Sequence, residues 1–216
     1  MNSRYCARYK LAAAFLIIGL LVAGCGANKS SVNENHDSDA LKTKTMSWSK
    51  MPDMFIDLSK SYTAKFRTSK GSFTVKLYAK EAPVTVNNFV FLAEEKFYEG
   101  LTFHTVIESF MIQTGDPNGN GTGSPGYIIP DELDTGLKFE EGIVAMANAS
   151  GPNTGGSQFF ICTGPDAVNL NRQPNYSIFG KVIDGMDTVR AIAQTPTKGS
   201  KPLEDVIIES IQIEAL

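Results

Sequence analysis

Apolar and polar residues alternate with period two in two neighbouring segments, 62–68 and 72–78. Successive side chains of a β-strand point to opposite faces, so this alternation is typical of strands that are buried on one side only. The two segments are separated by Ser69-Lys70-Gly71, and a short connection with glycine between two such runs predicts a β-hairpin. We therefore expect the folded domain to open with a hairpin at Tyr62.

The spacing of apolar residues changes after Pro83, which suits the first turn of a helix. Four apolar residues follow at the spacing i, i+3, i+4 and i+7 of one helix face: Val86, Phe89, Val90 and Ala93. This pattern predicts an amphipathic helix over residues 84–96.

Short apolar runs bounded by turn residues make up most of the remaining chain. They lie at 101–107, 110–113, 143–147, 158–163 and 177–183. A second helix is predicted at 185–193 and a last strand at 205–213. Many short strands with two helices indicate a β-barrel or a β-sandwich.

The amino-acid composition limits the classes of protein to which the chain can belong. The chain has 216 residues, of which 42% are hydrophobic and 20% are charged, as in ordinary globular proteins with one domain and short appendages. Lys and Arg total 20 against 23 Asp and Glu, and the two signs are interspersed. No basic stripe is available to neutralise a run of phosphates, so a nucleic-acid partner is not expected.

The N-terminal residues have the pattern of a signal peptide. Arg4, Arg8 and Lys10 precede an uncharged apolar stretch at 11–23, which is shorter than the roughly 20 residues of a transmembrane helix. The stretch ends in Val22-Ala23-Gly24-Cys25, which resembles the lipobox of bacterial lipoproteins. This resemblance implies a lipid on Cys25 and an anchor in the outer face of the cell membrane. The alternative is an ordinary secretory signal followed by a coincidental cysteine.

Residues 26–60 are rich in Ser, Asn, Asp, Lys and Thr and read as a flexible tether. Two apolar exceptions, at 46–48 and 51–56, could dock on the domain. The expected organisation is a signal peptide at 1–24, a lipidated tether at 25–60 and a folded domain at 61–216. Since Cys6 and Cys25 lie outside that domain, no disulfide framework is expected. Cys162 stands in an apolar run and reads as a small buried hydrophobe.

The glycine-rich loop at 115–126 matches neither a phosphate-binding loop nor a calcium-binding EF-hand loop. It lacks the Gly-Lys-Ser/Thr of a phosphate loop, and Tyr127 occupies the position where an EF-hand loop needs a bidentate glutamate. A turn-rich surface loop is the better interpretation, and no metal or cofactor is predicted. The adjacent carboxylates Asp131-Glu132 and Glu140-Glu141 are more typical of a solvated surface than of an acid/base pair.

Two longer segments resemble the signatures of one family. The run from Phe103 to Asp116, followed by Gly121-Thr122-Gly123, resembles the Phe-His-Arg-x-Ile-x-x-Phe-Met-x-Gln-x-Gly-Asp segment of cyclophilins. The run from Gly142 to Ile161 resembles their second signature, with one extra residue near Ser150, and 176–182 continues the match. The resemblance extends in order over 62–216. It implies a closed eight-stranded antiparallel β-barrel capped by two α-helices, and a peptidyl-prolyl cis-trans isomerase. A monomer is the default expectation.

The same resemblance implies where proline-containing peptides and unfolded exported proteins bind. The catalytic set would be His104, Phe110, Gln113 and Asn148, with His104 as a supporting residue and no proton donor. An apolar pocket for the proline ring would use Phe110 and three further residues: Met111, Phe160 and Leu170. The groove around it would be lined by Ala147, Ala149, Gln158 and Tyr176.

One catalytic position departs from the family pattern. Thr105 stands where cyclophilins have an arginine that is thought to donate to the prolyl nitrogen. Threonine is short and uncharged and cannot make that contact, although Arg172 is a candidate for partial compensation. The leading hypothesis is therefore an isomerase that assists the folding of exported proteins, with a reduced rate. The alternative is a non-catalytic module or holdase that binds proline peptides; a transporter's solute receptor is excluded because the domain is too small for two lobes.

Overall fold

The computed structural model describes residues 46–216. The predicted signal peptide, the predicted lipidation site Cys25 and the first part of the predicted tether lie outside the described residues. The strands are β1 (Tyr62–Thr68), β2 (Gly71–Leu77), β3 (Thr105–Ile107), β4 (Met111–Thr114), β5 (Ile143–Asn148), β6 (Gly155–Cys162), β7 (Ile178–Asp184), β8 (Thr197–Lys198), β9 (Lys201–Pro202) and β10 (Ile208–Ala215). The helices are α1 (Pro83–Glu94), a 3-10 helix (Pro165–Arg172) and α2 (Met186–Ala193).

Eight strands form one curled sheet in the order β10-β1-β2-β7-β5-β6-β4-β3, and every neighbouring pair is antiparallel. The predicted hairpin is confirmed, because β1 and β2 pair from Tyr62 opposite Leu77 to Thr68 opposite Gly71. Strands β8 and β9 form a separate two-stranded hairpin that the sequence pattern did not reveal.

The expected closure of the barrel is wrong. Strands β3 and β10 are the two ends of the sheet, and the sheet forms a half-barrel. The chain segments that precede these strands are connected by an isolated bridge between Thr102 and Ile207 and by backbone hydrogen bonds between residues 100–103 and 206–208. Pairing with β10 does not continue along β3, because the backbone N–H of Val106 donates instead to the carbonyl of Ser200, in the turn of the β8–β9 hairpin.

The helices differ from the expected pair in one respect. Both predicted α-helices are present, at Pro83–Glu94 and Met186–Ala193. A third helix, the 3-10 helix Pro165–Arg172, lies between β6 and β7 and was missed, because its sequence is polar and buries only Ala167. No helix within residues 46–216 is long and apolar enough to cross a membrane.

Alternation along the central strands sorts their side chains into two apolar clusters. In β6, Phe159 and Ile161 enter the large core beneath α1, whereas Phe160 and Cys162 enter a smaller cluster on the opposite face of the sheet. Strand β5 divides in the same way, as expected for a period of two. Both faces of β6 are therefore covered, and all eight of its residues are buried.

The segment before β1 packs on the domain. The ring of Trp48 lies 5.2 Å from that of Phe91 in α1, and Ile56 is buried in the large core. Two backbone N–H groups, of Phe55 and Ile56, donate to the side-chain oxygen of Asn87. Packing thus extends N-terminal to residue 61, where the sequence pattern placed the start of the domain.

Candidate active site

A cavity of about 110 Å³ opens on the side of the sheet that carries the smaller cluster. It is here called the apolar cavity because six of its eight lining residues have aliphatic or aromatic side chains. Strands β4, β5 and β6 form its floor, and the 3-10 helix and the segment before β7 form its rim. Eight residues line it, all of them among the predicted site residues: Phe110, Met111, Gln113, Ala147, Asn148, Phe160, Leu170 and Tyr176.

The period of two explains how β4 supplies this cavity. Ile112 is fully buried in the large core, so its neighbours Met111 and Gln113 face the other side of the sheet. In the ladder, Gln113 lies opposite Phe160 of β6. The rings of Phe160 and Tyr176 meet edge to face at 5.4 Å, a favourable aromatic geometry that fixes one wall of the cavity.

A second cavity of about 110 Å³ adjoins the first, and the two share Gln113, Ala147 and Asn148. It is here called the polar cavity because glycines and residues with polar side chains make up most of its lining. The predicted groove residues Ala149 and Gln158 line the polar cavity. Its other lining residues had no predicted role in the site: Gly121, Gly123, Ser124, Tyr127, Ile128, Thr154, Gly156 and Ser157.

A chain of hydrogen bonds runs along the boundary between the two cavities. Gln113 Nε2 donates to Gln158 Oε1 at 3.0 Å, and Gln158 Nε2 donates to the carbonyls of Gly121 at 3.1 Å and Gly123 at 2.9 Å. Both amide hydrogens of Gln158 are thus used inside the protein, whereas the Gln113 amide keeps one N–H and its oxygen for a ligand.

The glycine-rich loop folds around a buried carboxylate, that of Asp116. Its two oxygens accept hydrogen bonds from the backbone N–H groups of Asn118, Asn120, Gly121 and Gly123. Burial alone would raise the pKa of Asp116, but these donors, together with nearby His104, outweigh it and hold that pKa below its usual value. The carboxylate therefore acts as the organising centre of the loop. Within residues 46–216 no group of three or more His, Cys, Asp or Glu side chains could hold a metal ion.

His104 lies behind the site. It lines neither cavity, and neither ring nitrogen has a hydrogen-bond partner within the described part of the chain. Burial lowers its pKa despite the opposing charge of Asp116, so the neutral imidazole is favoured. These features are consistent with a supporting residue and not with a proton donor.

The sequence profile of the family "Cyclophilin type peptidyl-prolyl cis-trans isomerase/CLD" matches residues 63–213. The chain belongs to the cyclophilin family. Its membership places it among the peptidyl-prolyl cis-trans isomerases, as the two sequence signatures predict.

Similar proteins come from several organisms. Peptidyl-prolyl cis-trans isomerase B of Streptomyces anulatus is 43% identical over 171 residues, covering 70% of this chain and 95% of the relative. Peptidyl-prolyl cis-trans isomerase A of Mycobacterium tuberculosis is 44% identical over 170 residues, covering 70% and 91%. Two crystal structures of a Cryptosporidium parvum cyclophilin, the second determined in the presence of the dipeptide Ala-Pro, match with TM-scores of 0.66 and 0.65. Their identities are 35% and 36%, and they cover 71% and 70% of this chain and 98% of theirs.

The cyclophilin arginine position, Thr105, lies on the edge strand β3 and lines neither cavity. Arg172, the candidate for compensation, is exposed at the end of the 3-10 helix and also lines neither cavity. Among the described residues that line the two cavities, none is positively charged. The site of this cyclophilin therefore presents uncharged donors only.

Sequence reasoning missed the roles of Asp131 and Glu132, which it assigned to a solvated surface. Glu132 accepts hydrogen bonds from the backbone N–H groups of Val84 and Thr85 and from the Thr85 hydroxyl, and so caps the N-terminus of α1. Asp131 accepts from Asn148 at the site. No local signal reveals these contacts, because donor and acceptor lie tens of residues apart.

Cys162 takes no part in the site chemistry. It is fully buried behind the apolar cavity, and burial raises the pKa of its thiol to about 12. A thiolate is the reactive form of cysteine, so this side chain acts as an apolar filler.

Proposed function

We propose that this cyclophilin isomerises X-Pro bonds of exported proteins while anchored by lipid to the outer face of the cell membrane, and so assists their folding. The observation that carries the catalytic part is the apolar cavity bordered by Gln113 and Asn148. A proline ring needs an apolar surface, and the amide beside it needs polar partners, and this arrangement offers both.

The chemistry requires no covalent step. Rotation about an X-Pro bond has a barrier of about 18–20 kcal/mol because amide resonance must be lost on the way. A protein accelerates it by binding the twisted amide better than either planar isomer. In the proposed arrangement the proline ring occupies the apolar cavity, the free N–H of Gln113 holds the substrate carbonyl, and the Asn148 backbone holds the residue before proline.

The rate is expected to be lower than with the family's arginine. As the amide twists, its nitrogen gains a lone pair that a charged donor stabilises better than a neutral one. Removing one positioned donor from a catalytic site typically lowers a rate by about 10²–10³. Because Thr105 supplies no charged donor, it also favours the alternative function, a module that binds proline peptides without isomerising them.

Exchange spectroscopy separates these two functions. The full-length protein in detergent micelles would be added to an Ala-Pro peptide whose cis and trans NMR signals are resolved. Cross-peaks between the isomers that exceed the background and grow with protein concentration support the isomerase. Peptide binding without any accelerated exchange supports the alternative.

The proposed location is supported by the lipobox-like Val22-Ala23-Gly24-Cys25 and by the polar residues that follow it. A diacylglyceryl anchor resists salt, whereas a peripheral protein is released by it. The native protein should therefore stay with washed membranes, and a Cys25→Ser variant should not become lipidated. Recovery of the native protein in the salt wash would contradict the anchor.

A further inference from the structure

We infer that Asp131 is a positioning residue for substrate binding, because its carboxylate fixes the end of β5 that borders both cavities. The inference rests on the proposed function in one respect, since it takes Asn148 to contact the peptide. Asp131 itself lines neither cavity and would act only through Asn148 and the loop beyond it.

The contacts converge on one oxygen. Oδ2 of Asp131 accepts from Asn148 Nδ2 at 3.3 Å and from the backbone N–H of Asn153 at 2.7 Å. In return, the backbone N–H of Asp131 donates to Asn153 Oδ1 at 2.9 Å. The Asn148 amide also donates to the carbonyl of Asn175, in the segment that leads to Tyr176 of the apolar cavity. The Asp131 carboxylate thus connects its own segment to the end of β5 and to the loop at Asn153, at the rim of the site.

Among the described residues, the Asn148 side chain makes no hydrogen bonds other than those to Asp131 and Asn175. The β5–β6 ladder shifts register between Met146 and Asn148, so the regular pairing is interrupted where the site begins. Asn148 Oδ1 is buried and has no hydrogen-bond partner among the described residues. The two bonds donated by Nδ2 therefore fix the orientation of the Asn148 side chain. The loop that follows, 149–154, is also the one with an extra residue relative to the cyclophilin signature.

Glu132 provides a matched control next in sequence. Its carboxylate accepts hydrogen bonds at the N-terminus of α1 and, among the described residues, makes none to the residues that line either cavity. Removing it should lower stability without changing peptide binding. Removing the Asp131 carboxylate should weaken peptide binding more than the loss of folding stability accounts for. Without its hydrogen bond to Asp131, Asn148 must become ordered when the peptide binds.

The test compares Asp131→Ala, Asp131→Asn and Glu132→Ala in the full-length protein in detergent micelles. Dissociation constants for an Ala-Pro peptide come from NMR titration, and thermal midpoints from circular dichroism. We expect Asp131→Ala to weaken binding about three- to tenfold, the scale of one lost hydrogen bond of ordinary net strength. Asp131→Asn, whose amide oxygen can accept the same two bonds, should restore most of the affinity, and Glu132→Ala should bind like the native protein.

Three outcomes decide the inference. Equal affinity of Asp131→Ala and the native protein overturns it while leaving the proposed function intact. A weakened affinity in Glu132→Ala of the same size as in Asp131→Ala also overturns it, since the effect would then be one of general stability. Absence of peptide binding by the native protein overturns both the proposed function and this inference.

Discussion

Thr105 pairs with Gln113 across the β3–β4 ladder. Side chains of directly paired residues project from the same face of a sheet, with Cβ atoms about 4.5–5.5 Å apart. Residue 105 is thus next to the polar group that borders both cavities, and threonine is too short to line either of them. The pairing places the position where the family's charged arginine is missing beside the partly free amide of Gln113.

Thr105→Arg should raise kcat/KM for an Ala-Pro peptide by about 10²–10³, the typical contribution of one positioned donor. A guanidinium at this position can extend past Gln113 toward the twisting amide and donate to its nitrogen. Exchange spectroscopy at matched protein concentrations measures the change. Thr105→Met, of similar length and without charge, should stay near the native rate, and an equal increase in both variants would show that charge is not the cause.

Gln158→Leu should lower kcat/KM and also destabilise the fold. The substitution removes the acceptor that orients the Gln113 amide and leaves the carbonyls of Gly121 and Gly123 without their donor. Each buried polar group left unpaired costs about 1–3 kcal/mol. Urea unfolding together with peptide kinetics measures both effects. Unchanged kinetics at reduced stability would show that Gln113 does not depend on Gln158 for its orientation.

The apolar cavity could be predicted from the sequence because seven of its eight lining residues lie within the segments that resemble the family signatures, and those on β4 and β6 follow the alternation of the strands. Met111 and Gln113 lie on either side of buried Ile112 in β4, and Phe160 lies between buried Phe159 and Ile161 in β6. The register of β4 against β6 therefore determines which of these side chains line the cavity. These positions depend on local spacing, which a sequence displays directly.

Contacts between distant segments could not be predicted in this way. Glu132 caps a helix that begins 49 residues earlier, at Pro83, and Asp131 reaches Asn148 and Asn153 across the site. The adjacent pair looked like a solvated surface because adjacency alone does not reveal the partners. The open edge of the sheet was missed for the same reason: closure depends on whether β3 pairs with β10 or with residues near Ser200.

Gly115→Ala should destabilise the protein about 1–3 kcal/mol more than Gly100→Ala. Both glycines have positive φ, +84° and +83°, so both substitutions carry a similar backbone penalty. A methyl group on Gly115 would overlap the carbonyl oxygen of Ser157 in β6, whereas nothing lies within 4 Å of the same position on Gly100. Urea unfolding of the two variants gives the difference, and equal losses would contradict the close contact.

The native protein should lose stability as the pH falls from 7 to 5, and His104 should cause this loss. Burial holds the folded pKa of His104 below the ordinary value of about 6.5. Above pH 6.5 the imidazole is neutral in both states, so its contribution does not change with pH. Between 6.5 and the folded pKa the unfolded state binds a proton that the folded state does not, and stability therefore decreases as the pH falls.

The titration of Asp116, the charged group near His104, does not overlap the pH range in which His104 titrates. Asp116 faces the imidazole, and its folded pKa lies below the usual value of 3.8, so its stabilising contribution is lost only as the pH falls below that range. His104→Gln should therefore give a free energy of unfolding that is nearly constant between pH 7 and pH 5. Substituting the second histidine of the chain, His36→Gln, should leave the native dependence intact. A decline of equal slope in the His104→Gln protein would assign the titration to other groups.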